Sequence, residues 1–420
     1  MPLRDKPPVL PDPLLDPAVQ DCPYDHYRSL RESAPVHRMP DTGYYVLSRH
    51  ADVRAAMLDT DTYSSQYDYG DIASFNASPM RIVDQALAER GWPHVATLQR
   101  QDPPLHGRDR ELVRPLFAPR AIKALTSNIE AKVELVIDGF IERGACEFVS
   151  DFAVPFPALV MAEQLGLGDH DLPTLHSWVD GMLAPVTRPL NDAEASAAVE
   201  AELAAQHHFA DLFRRRRVEP GDDIVSWLVA SRASGDDAVY SDADLQSIMR
   251  FLLTGGLNTT AHALAHGMLY LTMNPGMWEE LAADPAQLGR FIEEIIRLDG
   301  PVQGLFRRTT KPVDLHDVTI PAGSFVMLRH GAANHDPEVF ADPESCDINR
   351  QELGQHVGFG AGPHYCIGAP LAREEMRAAF AALLTRIDRP RLAATQPEPA
   401  HLPSLMFRGL SRLDLTFEVR

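Results

Sequence analysis

The sequence predicts a mainly helical fold with small β-sheets. Helical periodicity dominates from about Arg120 to Ile296, strand-like alternation is confined to short segments before and after it, and 34 prolines with 26 glycines in 420 residues call for many turns. In chain order, Val36 to Met39 and Tyr44 to Leu47 flank Asp41-Thr42-Gly43 and read as a hairpin. Helical stretches follow over Ile129 to Ile141 and Ala193 to Arg217. A much longer one begins after Tyr240, with Ser241 as N-cap and Asp244 three residues on, and runs without proline to Asn274, where Pro275 stops it. About 33 residues at 1.5 Å each give roughly 50 Å, long for a domain helix. Midway stands Thr254-Gly255-Gly256-Leu257-Asn258-Thr259-Thr260, poorly suited to a helix interior. Its glycines and threonines predict a local distortion, close approach by a ligand, or a close helix crossing. Two strands are then expected at Val318 to Ile320 and Phe325 to Leu328 around Pro321-Ala322-Gly323, and a last one where Leu413, Leu415, Phe417 and Val419 alternate with polar residues. Without repeats, low-complexity blocks or a Gly/Ser linker, residues 1–420 read as one domain.

Hydrophobic residues at 45% and charged residues at 23% exclude disorder throughout and allow a sizeable core. The formal net charge of -20 argues against nucleic acid as a partner. Cys22, Cys146, Cys346 and Cys366 are too few and scattered for a disulfide framework, and none forms a CxxC pair. A cytoplasmic protein is expected, because the N-terminal residues lack a signal-peptide pattern and no run of 18 apolar residues suits a membrane.

The chemistry is carried by Val357-Gly358-Phe359-Gly360-Ala361-Gly362-Pro363-His364-Tyr365-Cys366-Ile367-Gly368-Ala369-Pro370, followed at once by helix-forming residues. A glycine-rich turn delivers Cys366 just before a helix start, where free N–H groups and the dipole favour a thiolate. Such a sulfur could be a nucleophile, an iron ligand, or a buried cysteine in a structural turn. The spacing Phe359-x-x-Gly362-x-His364-x-Cys366-x-Gly368 resembles the haem-binding signature of the cytochromes P450, with every fixed position filled.

The resemblance implies the P450 fold, with the long helix over haem b (iron protoporphyrin IX), and Cys366 as the thiolate ligand of the iron. Phe359 would pack beside the sulfur and Gly368 would let backbone approach the porphyrin. Glu294 and Arg297 resemble the family's ExxR pair, a structural network near the haem; the same spacing at Glu111 to Arg114 and Glu374 to Arg377 reads as surface charge. His106, Arg110, Arg307 and His364 match positions that offset the haem propionates, with Arg308 the alternative if the strand slips by one. Gly255 to Thr260 would form the oxygen groove, with Thr259 hydrogen-bonding dioxygen and Thr260 able to assist.

Two departures stand out. Position 258 is usually an acid and here is Asn258, whose amide cannot relay a proton near neutral pH. Relatives also place a basic residue near Ser345 to complete the Glu294–Arg297 network, so another partner is needed here or the network is smaller. Val302, Leu305, Met406 and Phe407 are expected to line a pocket for a hydrophobic small molecule, together with parts of Ser64 to Gln99 and Trp178 to Val186. The resemblance thus implies a monooxygenase that hydroxylates, O-dealkylates or epoxidises its substrate with O2 and two electrons. With no flavin or nicotinamide signature in the chain, the electrons are expected from a ferredoxin and its reductase. A basic cluster of Arg108, Arg110, Arg114, Arg120 and Arg373 would steer an acidic donor. The rival readings are a hydrogen-peroxide-dependent peroxygenase and a haem-thiolate binding or sensing protein without turnover.

Overall fold

The computed structural model describes residues 12–72, 77–167, 172–231 and 240–420. The helices that shape its interior are α1 (Tyr24–Ser33), α2 (Leu105–Val113), α3 (Pro119–Asp138), α4 (Pro155–Gln164), α5 (Leu172–Thr187), α6 (Asp192–Val218), α7 (Asp242–Met273), α8 (Leu288–Asp299) and α9 (Ala369–Arg386). The strands are β1 (Val36–Arg38), β2 (Tyr45–Leu47), β3 (Tyr63–Ser64), β4 (Ala145–Glu147), β5 (Leu305–Thr309), β6 (Val313–Leu315), β7 (Val318–Ile320), β8 (Phe325–Leu328), β9 (Ile387–Leu392) and β10 (Asp414–Val419).

Helix α7 has 32 residues and starts where the sequence places it. Asp244 N–H donates to Ser241 Oγ at 3.2 Å while Ser241 N–H donates to the Asp244 carboxylate at 2.9 Å, a reciprocal cap. It ends at Asn274, whose N–H closes on Tyr270 O at 2.9 Å before Pro275. Leu245, Ile248, Met249, Leu253, Leu264 and Leu271 are all buried around it, so the helix is apolar on nearly every side and runs through the core. The expected distortion at Gly255-Gly256 is absent, and α-helical bonding continues through both residues. The two glycines divide the expected tasks. A Cβ on Gly256 would lie 2.2 Å from Met161 Cε of α4, so this glycine permits a close crossing; a Cβ on Gly255 would meet nothing within 4 Å and faces open space. Gly267 is a second crossing point, with Phe380 of α9 at 2.6 Å from its hypothetical Cβ.

The predicted hairpin pairs Val36 with Leu47 and turns at Gly43, whose φ of +73° suits glycine. It forms one edge of a five-stranded sheet ordered β1-β2-β8-β5-β3, in which β2 and β8 run parallel. The predicted strands β7 and β8 both form, in different sheets: β7 pairs with β6, and the turn at Pro321-Ala322-Gly323 carries the chain across. The C-terminal alternation becomes β10, between β4 and β9, with Leu415 and Phe417 buried and Val419 exposed at the end. Among the described residues, no helix is long and apolar enough to cross a membrane.

Since Ser241 satisfies an orphan donor at the start of the central helix, Ser241→Ala is expected to lower stability by about 1 kcal/mol, read as a shift in the urea midpoint at unchanged slope.

Candidate active site

The loop before α9 turns on two glycines in the left-handed region, Gly360 at φ +73° and Gly362 at φ +68°. A Cβ on Gly362 would sit 3.0 Å from Met57 O, and one on Gly358 would sit 2.5 Å from Ile296 Cγ2, so the loop lies tight against two neighbours. Cys366 N–H donates to Phe359 O at 2.9 Å, folding the turn back so that the sulfur projects beside the start of α9, with Gly368 at the cap. Burial pushes the Cys366 thiol up, and the Gly368 and Ala369 N–H groups, Arg110 and Arg373 only partly oppose it. The N–H groups at the helix start therefore do not outweigh burial, and a cation bound to the sulfur would favour the thiolate. Arg373 lies 4.4 Å over the Phe359 ring and is paired with Glu293, whose carboxyl resists burial and is brought down to about 2 by Arg373 and His356.

Cys366 opens onto a cavity that runs between the loop before α9 and helix α7. Its opposite wall is α7, through Gly255, Thr259 and Thr260. Thr259 Oγ1 donates to Gly255 O at 2.8 Å, one turn back along the same face. Asn258 is half-buried and is not among the residues lining this cavity, because one residue along a helix turns the side chain by 100°. At one end the apolar Val302, Leu305, Met406 and Phe407 come together, joined by a bridge between Val302 and Phe407.

At the other end four cationic or basic side chains meet, as the sequence predicts. His106 stacks on His364 with ring centroids 4.1 Å apart, Arg110 donates to Tyr365 O at 2.7 Å, and Arg307 reaches in from β5. Arg308, the alternative, points the other way on the strand and lies exposed against Phe325. The structure adds His330, which sequence reasoning missed because it lies in a short helical turn with no motif. Arg307 Nε and His330 Nδ1 are buried with no hydrogen-bond partner among the described residues. Burial, and then neighbouring Arg307, push His364 down to about 2 and His330 down to about 3. Such a group of mutually repelling, under-satisfied donors fits a bound anion.

The ExxR pair is deeply buried. Arg297 grips Glu294 through two bonds of 2.7 and 2.8 Å and donates to Asn334 O, Pro343 O and Ser345 O. The missing third partner is Arg350, five residues beyond the expected place: its Nε lies 3.3 Å from Glu294, and it donates to the carbonyls of Ala341, Asp342 and Ser345. Glu374–Arg377 is a half-exposed ion pair and Glu111 and Arg114 are exposed, as expected of surface charge. The basic cluster is narrower than predicted, since Arg108 is tied to Asp109 and Arg373 to Glu293, while Arg114 and Arg120 remain exposed.

A second residue missed from sequence is Glu375. It lies on α9 one turn after Leu371 and one before Ala379, on the face that packs inward, and it is 1% exposed at the cavity edge. Burial raises its carboxyl well above the usual range against a hydrogen bond with Thr260. An acid at an inward position of an otherwise apolar helix face was the available signal.

A sulfur at the start of a helix, a cavity walled on its far side by α7, and a group of under-satisfied donors together fit an iron porphyrin with its two propionates. A cytochrome P450 family profile matches residues 169–407 of the chain. The chain belongs to the cytochrome P450 family. It is 32% identical to cytochrome P450 107B1 of Saccharopolyspora erythraea over 96% of this chain and 97% of that protein, and 31% identical to the P450 monooxygenase PikC of Streptomyces venezuelae over 97% and 94%. The solved structure of CYP109E1 from Bacillus megaterium in complex with testosterone superposes with a TM-score of 0.82, at 25% identity, over 96% of this chain and 99% of that one. This P450 is a haem-thiolate monooxygenase whose cofactor is haem b.

Because Arg350 supplies a buried charge to Glu294 and three carbonyl contacts, Arg350→Ala is expected to destabilise this P450 by about 3 kcal/mol, visible in urea unfolding followed by circular dichroism.

Proposed function

We propose that this P450 works in the cytoplasm on a hydrophobic small molecule, hydroxylating, O-dealkylating or epoxidising it with electrons from a ferredoxin and its reductase, and that residues 1–420 form one catalytic domain. The observation that carries the reading is the Cys366 sulfur opening into a large cavity between the α7 groove and a ring of basic side chains. Bound there, the haem activates dioxygen and supplies the oxidant. Cys366 binds its iron; His106, Arg110, Arg307 and His364, with His330, hold the propionates; Phe359 and Gly368 shape the cysteine pocket. Thr259 orients dioxygen in the groove by exchanging its bond to Gly255 O for one into the cavity.

Proton delivery is assigned to Glu375 rather than to position 258. Burial favours the protonated form of its carboxyl at the cavity edge, and the charge left on giving up that proton is stabilised by the Thr260 hydroxyl that already bonds it. Asn258, turned from the cavity, needs no acid function on this reading. Substrate class follows from the apolar wall of Leu98, Leu183, Val186 and Phe251 with Val302, Leu305, Met406 and Phe407. The one cation on that wall, Arg250, is engaged by Glu202 at 3.1 Å and so is neutralised. A relative that binds testosterone supports an apolar polycyclic guest. Exposed Arg114 and Arg120, against a net charge of -20, support docking of an acidic ferredoxin.

Cys366→Ala is expected to abolish the red-shifted Soret band of the reduced carbon monoxide complex; retention of that band, with loss on changing Cys22, Cys146 or Cys346 instead, would overturn the ligand assignment. Glu375→Gln removes a proton donor but not volume. Since burial raises the folded pKa of the wild-type acid above its unfolded value, the acid costs stability as pH rises above the unfolded pKa, so the glutamine variant should be at least as stable at pH 7. Its coupling of NAD(P)H to product should fall about tenfold, an effect of about 1.4 kcal/mol on one step, while Asn258→Asp changes coupling little. Product yield with ferredoxin and NAD(P)H, set against hydrogen peroxide alone, checks the electron source; full turnover on peroxide alone favours a peroxygenase.

A further inference from the structure

Two turns beyond Thr259 along α7, three chain segments bring together His266, Asp299 and His401, none of which lines the active-site cavity. One ligand atom from each lies within 4.8 Å of the other two. His266 has a side chain 0% exposed and His401 one 8% exposed, and their ring centroids are 5.4 Å apart. The tautomers are set from behind. His266 Nδ1 lies 2.7 Å from Asp299 O, and a carbonyl can only accept, so Nδ1 carries the proton. His401 Nδ1 lies 2.9 Å from the Asp21 carboxylate, which accepts likewise and also takes the His401 backbone N–H at 2.7 Å. Both Nε2 atoms are thereby left as lone-pair donors, and both are buried with no hydrogen-bond partner among the described residues.

Imidazole Nε2 with Nδ1–H held by a carbonyl or carboxylate is the arrangement of metal-bound histidine. Asp299 adds a carboxylate. One of its oxygens is taken by Tyr24 Oη and by Arg408 Nε at 2.6 Å, and the other lies 3.9 Å from His266 Nδ1. A divalent ion would meet two imidazoles and a carboxylate whose other oxygen is shared with Tyr24 and Arg408. We propose that His266, Asp299 and His401 form a binding site for a zinc-type divalent ion, separate from the haem. Tetrahedral zinc at 2.0–2.1 Å places its donors about 3.4 Å apart, so binding closes the three groups by roughly 1 Å. The ion would staple α7 to the end of α8 and to the C-terminal segment. Those last two lead directly into Val302 and Phe407, which pair across the cavity wall.

The test uses the haem-loaded full chain, treated with EDTA, desalted and titrated with zinc chloride by calorimetry. The wild type should take up one tight equivalent and gain a few degrees in unfolding temperature. His401→Ala should lower the affinity at least about 100-fold and lose the thermal gain, and Asp21→Asn, at a half-exposed side chain, should lower it about 10- to 100-fold. The carbon monoxide spectrum reports that each variant is folded. Should His401→Ala fail to load haem, zinc X-ray absorption on the wild type must show imidazole scattering from two rings. No stoichiometric binding, equal affinity in the wild type and the Asp21→Asn or His401→Ala variant, or a zinc shell without imidazole would overturn the proposal.

Discussion

A buried carboxylate shared between two guanidinium groups holds the reactive loop in place. Glu294 on α8 is gripped by Arg297 and reached by Arg350, and all three are nearly inaccessible. Such a group is costly to desolvate and cannot be left half-paired, so the segments that carry its partners are forced into register. Arg297 then donates to Asn334 O, and the same Asn334 side chain accepts Val357 N–H at 2.8 Å. Through these two bonds the position of α8 becomes the position of the loop, and Gly358 seats that loop on Ile296 with no room for a side chain. The sulfur of Cys366 is where it is because a charge far from the reaction had to be neutralised.

The active site inverts this logic. Around Glu294 every donor and acceptor is matched, whereas at the haem edge Arg307 and His330 keep buried nitrogens without partners. The protein keeps unsatisfied polarity on that side, which an anionic group bound there would complete; on the proposed reading the basic residues disfavour the empty chain and favour the loaded one.

How much of this was legible in the sequence depended on whether a residue's role is local. The Cys366 loop, the cap at Ser241 and the stop at Pro275 are written in neighbouring residues, and the structure places them as read. His106, Arg110, Arg307 and His364 come from separate segments, yet they converge on one cavity end, because the family resemblance supplied the register that spacing alone could not. Arg350, His330 and Glu375 escaped because each acts at a distance set by tertiary packing. Arg350 replaces an expected basic residue near Ser345 from five positions on, which the extended arm of arginine makes possible. The anticipated bend at Gly255-Gly256 failed for a related reason: glycine lowers helix propensity, but a helix enclosed by the core on most sides has no alternative conformation that keeps its hydrogen bonds.

Helix α7 shows how one element serves several constraints around and along its axis. Gly255, Thr259 and Thr260 face the cavity, Gly256 and Gly267 admit Met161 and Phe380, and His266 turns toward Asp299 and His401. Between Thr254 and Ala263 the positions that meet the cavity carry small or hydroxylated side chains, so the composition that weakens the helix locally is what lets it pass between the cavity and a packed core. An amide at position 258 is compatible with this division, because the buried acid on the inward face of α9 reaches the groove through Thr260. The usual place of an acid on α7 can then be vacated without removing ionisable chemistry from the site.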